Sequence, residues 1–220
     1  QTAEVKKRVL AKASPEAIAF WKEGLKTLPG KFDASGLTPE EWKDRRRLSI
    51  GSSAASHVTG DCPFEGCTPY DLYNEKVGSV SLFPPSEEEA REREDRFDYG
   101  HVMETYLRGW VRRHWPNSKL VIDTNIYNDG TYPFLTANLD GMLQLPDGSW
   151  VHIEFKTASA QARHAYDDNN IPLYYRRQLI QCQRILNVWS SRLIVKIEGV
   201  PKPVVCVYAR DLDAEMEQVK

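Results

Sequence analysis

No apolar run in this 220-residue chain approaches the roughly 18 residues that a membrane-spanning helix needs. The opening stretch Gln1–Lys12 is too polar and charged for a secretory signal. There is no GxSxG, no Walker phosphate loop and no GxGxxG, which removes the commoner hydrolase and nucleotide-binding readings. Cysteine is sparse, with four scattered residues, Cys62, Cys67, Cys182 and Cys206. Cys62-x4-Cys67 has the spacing of half a zinc or iron–sulfur site, but Cys182 and Cys206 fall in a predicted helix and strand. The expectation is therefore free cytosolic thiols. The five histidines carry no ligand spacing, and His101, His152 and His164 read as structural or surface residues. An excess of charge is missing too: 29 Lys and Arg against 31 Asp and Glu leave −2, which gives no global push toward nucleic acid. DNA binding would then depend on where the cations lie. The missing initiator Met suggests trimming or a disordered start, and the helical pattern over Asp211–Lys220 points to a short missing tail.

What is present fits one large globular domain with a helical extension: 41% apolar and 27% charged residues over a length sufficient for a full core. No repeat or low-complexity segment appears. Residues 1–44 read as the helical extension and 45–210 as the core. Ser14-Pro15-Glu16 and Thr38-Pro39-Glu40-Glu41 open two helices at a proline in the first turn, with Trp21 and Trp42 as packing aromatics. Arg45–Gly60 reads as a basic cluster, a small-residue turn and a short helix; Pro69–Val77 is a further helix and Ser81–Pro85 a loop. Ser86 with Glu89 is a capping box that starts a long helix to about His114, its stripe formed by Phe97, Gly100, Leu107 and Val111. Period-2 strands follow at Leu120–Ile126, Phe134–Leu145 and Trp150–Thr157, the last two joined by a Pro146-Asp147-Gly148 turn. A helix over Ile171–Trp189 and strands at Arg192–Glu198 and Pro203–Tyr208 complete an α/β fold with a mixed central sheet flanked by helices.

The chemistry concentrates at Asp140 and, fourteen residues on, Glu154-Phe155-Lys156. Val151, Ile153 and Phe155 alternate with Trp150, His152, Glu154 and Lys156, so Glu154 and Lys156 share one face of a strand. Asp140 and Glu154 on paired strands offer two carboxylate oxygens to a hard divalent cation, and the Phe155 backbone carbonyl a third. Lys156 is placed to orient or deprotonate a water, or to stabilise developing phosphate charge, with activity rising into the alkaline range. A cross-strand ion pair on a solvated face is the plainer alternative. Glu104 falls on the apolar stripe of the long helix, where a carboxylate is costly unless paired or metal-linked; an ion pair with Arg108 is its alternative. Gln178, Gln181 and Gln183 can hold a water or phosphate oxygen, or simply form a polar helix face. Arg45-Arg46-Arg47 with Ser52-Ser53 suits phosphate, or makes a solvated basic turn. Arg163, Arg176 and Arg177 are candidates for following a DNA backbone.

In order along the chain, Arg46-Arg47-Leu-Ser-Ile50-Gly51-Ser52-Ser53, Thr68-Pro69-Tyr70-Asp-Leu-Tyr73-Asn-Glu-Lys76-Val-Gly78, Gly100-His-Val-Met-Glu104, Asn138-Leu-Asp140-Gly141, Glu154-Phe-Lys156-Thr157 and Gln181-Cys-Gln183 resemble the motifs of the YqaJ / lambda-exonuclease family of phage recombination nucleases. That family belongs to the PD-(D/E)xK superfamily with its restriction-endonuclease-like core. The resemblance spans about Arg45 to Trp189 and departs at Leu139, where the superfamily name expects proline. It implies Mg²⁺ (with Mn²⁺ as substitute) held by Asp140, Glu154 and the Phe155 carbonyl, with Glu104 acting through water. It implies Lys156 and Gln183 positioning the attacking water, and Arg46 or Arg47, with Ser53 and Gln181, binding DNA and its 5′-phosphate. It further implies a processive 5′→3′ exonuclease acting at double-stranded DNA ends, a ring-shaped homotrimer, a single-strand annealing protein as partner, and the cytoplasm of a bacterial host as location, with phage or prophage origin. Another PD-(D/E)xK enzyme, such as a restriction-like endonuclease or a repair exonuclease, is the alternative. A non-catalytic DNA-binding scaffold on the same fold is a third reading.

Overall fold

The computed structural model of the chain describes residues 2–78 and 86–219; the loop expected over Ser81–Pro85 lies outside them. In chain order the elements are α1 (Thr2–Lys12), α2 (Pro15–Gly24), β1 (Gly30–Asp33), α3 (Pro39–Arg47), β2 (Ile50–Gly51), a 3₁₀ turn (Ser52–Ala54), α4 (Ala55–Val58), α5 (Pro69–Val77) and α6 (Glu87–His114). Then follow β3 (Lys119–Val121), β4 (Asn125–Asn128), β5 (Leu135–Asn138), β6 (Gly141–Gln144), β7 (Trp150–Ala158), a 3₁₀ segment (Ala160–Asn169), α7 (Leu173–Leu186), β8 (Ser190–Ile197), β9 (Val204–Ala209) and α8 (Leu212–Val219). The helix starts follow local chemistry. Ser14 accepts from Ala17 N, and Thr38/Glu41, Thr68/Asp71 and Ser86/Glu89 form reciprocal capping boxes.

Two sheets form where the sequence pattern suggested one: β1-β4-β5-β2 and β3-β6-β7-β8-β9. The expected strands Leu120–Ile126 and Phe134–Leu145 each break in the middle and pass from one sheet to the other. Side-chain carboxylates take over ladder bonds at both breaks. Asp123 accepts from Asn125 N (3.1 Å) and Tyr127 OH (2.7 Å), and Asp140 accepts from Phe155 N at 2.8 Å. At the second break a Cβ on Gly141 would meet Leu120 Cδ1 and Ile122 Cδ1 at 3.0 Å each, so a larger residue would press on both side chains.

Helices cover both faces of β7. On one, Leu107 and Val111 of α6 pack against Val151, Ile153, Phe155, Leu143 and Ile194. On the other, α7 seats Leu179 against Leu193, Val195 and Ile197, and Cys182 and Ile185 against Leu135 and Ala137. Phe97, expected in the α6 stripe, is 67% exposed, because the first three turns of α6 bury no residue against the rest of the fold. The segment before Asp44 contains more than helices, since β1 joins the first sheet antiparallel to β4. Trp21 stacks edge-on against Trp189 with ring centres 5.1 Å apart, in a cluster with Val9, Ala17 and Leu212.

Beneath α7 lies a buried ion network. Arg184 bonds Asp129 (2.7 Å) and Glu215 (3.2 Å), and Arg210 bonds Glu215 (2.8 Å). All four residues are under 10% exposed. The network ties the β4–β5 connection, α7, the end of β9 and α8 together.

Candidate active site

Glu154 and Lys156 share a face of β7 as their spacing requires, and Lys156 Nζ stands 2.6 Å from Glu154 Oε1. The same oxygen accepts from Gln178 Nε2 of α7, also at 2.6 Å. Glu154 is 2% exposed. Its other oxygen, Oε2, is buried with no hydrogen-bond partner among the described residues, and His152 Nε2 is 3.5 Å away. Asp140 arrives from the sheet-switching break between β5 and β6. Since the N–H and C=O of one strand residue face the same edge, the Phe155 carbonyl shares the edge on which Asp140 binds the Phe155 N–H.

The electrostatics are those of crowded acids. Burial and the neighbouring Glu154 charge push Asp140 up to about 7. Burial, then Asp140, also raise Glu104 on α6, which Arg108 partly offsets through a 3.1 Å ion pair. The Arg108 pairing expected as the plainer alternative is therefore present, and Glu104 faces Asp140 as well. Burial works against the Lys156 ammonium, but Glu154 and Asp140 outweigh it and hold its pKa above the ordinary lysine range. With no cation bound, these two carboxylates hold Lys156 as an ammonium. Two electrostatically coupled carboxylates lining one cleft and a buried carboxylate oxygen without a hydrogen-bond partner among the described residues fit a divalent cation held by Asp140 and Glu154.

Three expected residues go elsewhere. Gln183 does not reach the cleft: its Nε2 donates to Ser191 Oγ and to Tyr208 O, both at 3.0 Å, and it is wholly buried. Residues 178 and 183 lie roughly 140° apart around a helix of 3.6 residues per turn, so only Gln178 faces Glu154. Gln181 is also buried and structural, donating to Ile50 O (2.8 Å) and Thr136 O (2.9 Å) and so tying β2 to β5. Arg47 turns outward to Asp44 at 3.0 Å.

Gln183 is linked by hydrogen bonds to Ser191 and on to His152, whose Nε2 stands 3.5 Å from Glu154 Oε2 without bonding it. Because Ser191 Oγ accepts from Gln183, its own proton is free for His152 Nδ1, 3.2 Å away. The imidazole proton then sits on Nε2, toward Glu154; burial keeps this ring neutral, with a pKa lowered to about 4. The lack of ligand spacing makes His152 a structural or surface residue in the sequence, while its place in the period-2 pattern of β7 is the signal that it shares the Glu154 face.

Arg46 and Ser53 are brought together. Arg46 Nη2 is 3.5 Å from Ser53 Oγ, the guanidinium lies over the Trp42 ring (4.6 Å), and Lys76 Nζ of α5 holds the Arg46 carbonyl at 2.9 Å. Arg45 stacks on Phe32 of β1 at 3.6 Å. Phe32, Trp42, Arg45, Arg46 and Ser53 line one cleft of about 470 Å³ with Asp140, Glu154, Lys156 and Gln178. Phe32 and Trp42 were not legible as cleft residues, because their neighbours come from distant segments. Arg176 donates to Ile171 O (2.7 Å) and Arg177 pairs with Asp61 of the α4–α5 loop (2.6 Å); Arg163 is exposed.

A family model described as the YqaJ-like viral recombinase domain matches residues 41–188. No curated protein matches the chain. Among solved structures, an alkaline exonuclease (LHK-Exo) from Laribacter hongkongensis is similar at 12% identity and TM-score 0.60, over 82% of this chain and 87% of that one. LHK-Exo in complex with dAMP is similar at 13% identity and TM-score 0.59, over 82% and 86%. At these identities the likeness is one of fold, and it spans most of both chains.

Proposed function

The chain belongs to the family of YqaJ-like viral recombinase domains, and from that premise we propose that it is a metal-dependent deoxyribonuclease that digests one strand of linear duplex DNA from its 5′ end. The observation that carries the reading is the single cleft lined both by Arg46 and Ser53 and by Asp140, Glu154 and Lys156. The fold shared with an alkaline exonuclease supports it. The single nuclease domain comprises residues 1–220, with 45–210 as its catalytic core.

In this mechanism Asp140, Glu154 and the Phe155 carbonyl would hold Mg²⁺, for which Mn²⁺ would substitute, and Glu104 would act through water. The chemistry that a bound ion supplies there is activation of the attacking water and neutralisation of phosphate charge. Gln178 orients Glu154. The Lys156 ammonium positions the water and stabilises charge developing on the scissile phosphate. Arg46, supported by Trp42 and Lys76, holds the 5′-phosphate together with Ser53. Processive action as a ring-shaped homotrimer beside a single-strand annealing protein, in a bacterial host cytoplasm, belongs to the same reading and rests on the family resemblance.

Linear duplex DNA labelled at either end, with and without a 5′-phosphate, tests this in Mg²⁺. Label at the 5′ end should be released first and faster from phosphorylated ends. Arg46→Ala should erase that preference, weakening binding about tenfold or more for a lost charge-assisted contact. Prompt cleavage of a covalently closed circle would replace the exonuclease with a restriction-like endonuclease.

Metal binding should depend on pH through Asp140. Its pKa is raised to about 7, so the folded metal-free chain binds an extra proton there and loses stability from this group as pH rises from its ordinary 3.8 toward 7. Below pH 7 the metal must displace that proton, so Mg²⁺ affinity, and the thermal stabilisation by Mg²⁺, should rise with pH and level off above about 7, by up to roughly tenfold per pH unit. Calorimetric titration with Mg²⁺ at several pH values measures it; a flat affinity across pH 5–8 (about three units) contradicts the assignment.

A further inference from the structure

Away from the carboxylate cleft, the loop between α4 and α5 brings together three residues that no step above uses. His57 of α4 and Cys62 and Cys67 of the loop have their ligand-type atoms within 4.8 Å of one another. Both thiols are free and half-buried. We propose that His57, Cys62 and Cys67 form a second metal site, for Zn²⁺, that braces this loop. With Zn–S near 2.3 Å and Zn–N near 2.0 Å, ligand atoms of a tetrahedral site stand roughly 3.5–3.8 Å apart, so small side-chain rotations close the observed group around an ion.

The loop itself shows why a brace is useful. No residue from Thr59 to Thr68 is buried, so burial of apolar surface contributes little to its shape. Gly60 and Gly66, at φ 71° and 72° with open space around them, curl the chain so that both cysteines return to His57. Ser56 O accepts from both Asp61 N (2.9 Å) and Cys62 N (3.2 Å), fixing the first ligand of the loop one turn from His57. Thiolate and imidazole ligands select zinc over Mg²⁺, which keeps this site chemically separate from the oxygen ligands of the cleft. A disulfide is the other use of two near cysteines, but it has no need of the histidine. The nearby Asp71 carboxylate is committed to Thr68, leaving the fourth zinc position to water. The braced loop leads into α5, whose Lys76 holds the Arg46 carbonyl, so the ion would steady one wall of the cleft without touching its contents.

The test is metal content of the purified full chain, followed by titration of metal-free protein with Co²⁺. The expected result is one zinc per chain and a thiolate-to-cobalt charge-transfer band for the wild type. Both should be lost in Cys62→Ser and Cys67→Ser and kept in Asp140→Asn. Absence of the band from the wild type overturns the proposal whether or not the serine variants fold. So does zinc that is lost in Asp140→Asn yet retained in Cys67→Ser, which would assign it to the cleft. A Cys62–Cys67 disulfide found by mass spectrometry in protein prepared without oxidant overturns it as well.

Discussion

Lys156→Ala should lower kcat on linear duplex DNA by about a hundredfold to a thousandfold while leaving Mg²⁺ affinity intact or tighter. The size follows from removing one charged group aimed at developing charge in a water-poor site. The direction of the metal effect follows from the surroundings: Lys156 is a cation 2.6 Å from Glu154 and is held in that form by Glu154 and Asp140. Deleting it leaves two carboxylates without their protein counter-charge, which favours a divalent ion. A merely structural lysine would move stability and metal affinity together with rate. Steady-state kinetics and calorimetric Mg²⁺ titration of the same variant separate the cases. Turnover within threefold of wild type (about 0.7 kcal/mol) would remove Lys156 from the mechanism. Lys156→Arg should rescue little, since a planar fork cannot take the place of a compact ammonium packed between Glu154 and the Tyr175 ring, 5.4 Å away.

The largest stability loss is expected at a residue far from the cleft. Glu215 is 1% exposed and accepts from both Arg184 and Arg210. Glu215→Ala leaves those two buried guanidiniums with the Asp129 carboxylate and the Asn187 amide oxygen as their remaining partners. Removing one partner from a buried pair costs about 3–5 kcal/mol. For a chain of this size that corresponds to a fall in Tm on the order of 10 °C. Thermal unfolding followed by circular dichroism measures it. A fall under roughly 2 °C would mean that the network is solvated or rearranges freely. Asp129 should behave similarly, because it also accepts from Thr131 N and Tyr132 N and so shapes the β4–β5 turn.

Much of the molecule was legible before its structure. Ser14, Thr38, Thr68 and Ser86 announce helix starts because a cap and its partner lie within three residues of each other. The face shared by Glu154 and Lys156 follows from period 2, which is equally local. The order of motifs from Arg46 to Gln183 pointed to the family that the match over residues 41–188 establishes. The failures share one cause, which is that the deciding partner is distant in sequence. Gln183 and Gln178 both read as helix glutamines, yet only the docking of α7 on β7 determines which of them meets Glu154. Arg46 and Arg47 are adjacent and chemically equal; Trp42, Ser53 and Lys76 draw one into the cleft while Asp44 holds the other outside.

By itself the sequence determined where the capped helices start, which strand face carries the acid and the lysine, and which family the chain resembles. These depend on residues a few positions apart, whose geometry the backbone repeat already sets. The tertiary structure alone decided that strands break at Asp123 and Asp140 to form two sheets, that His152 stands behind Glu154, that Gln178 meets Glu154, and that His57 joins Cys62 and Cys67. Each of these depends on burial and on partners from other segments, and neither exists until the chain has folded.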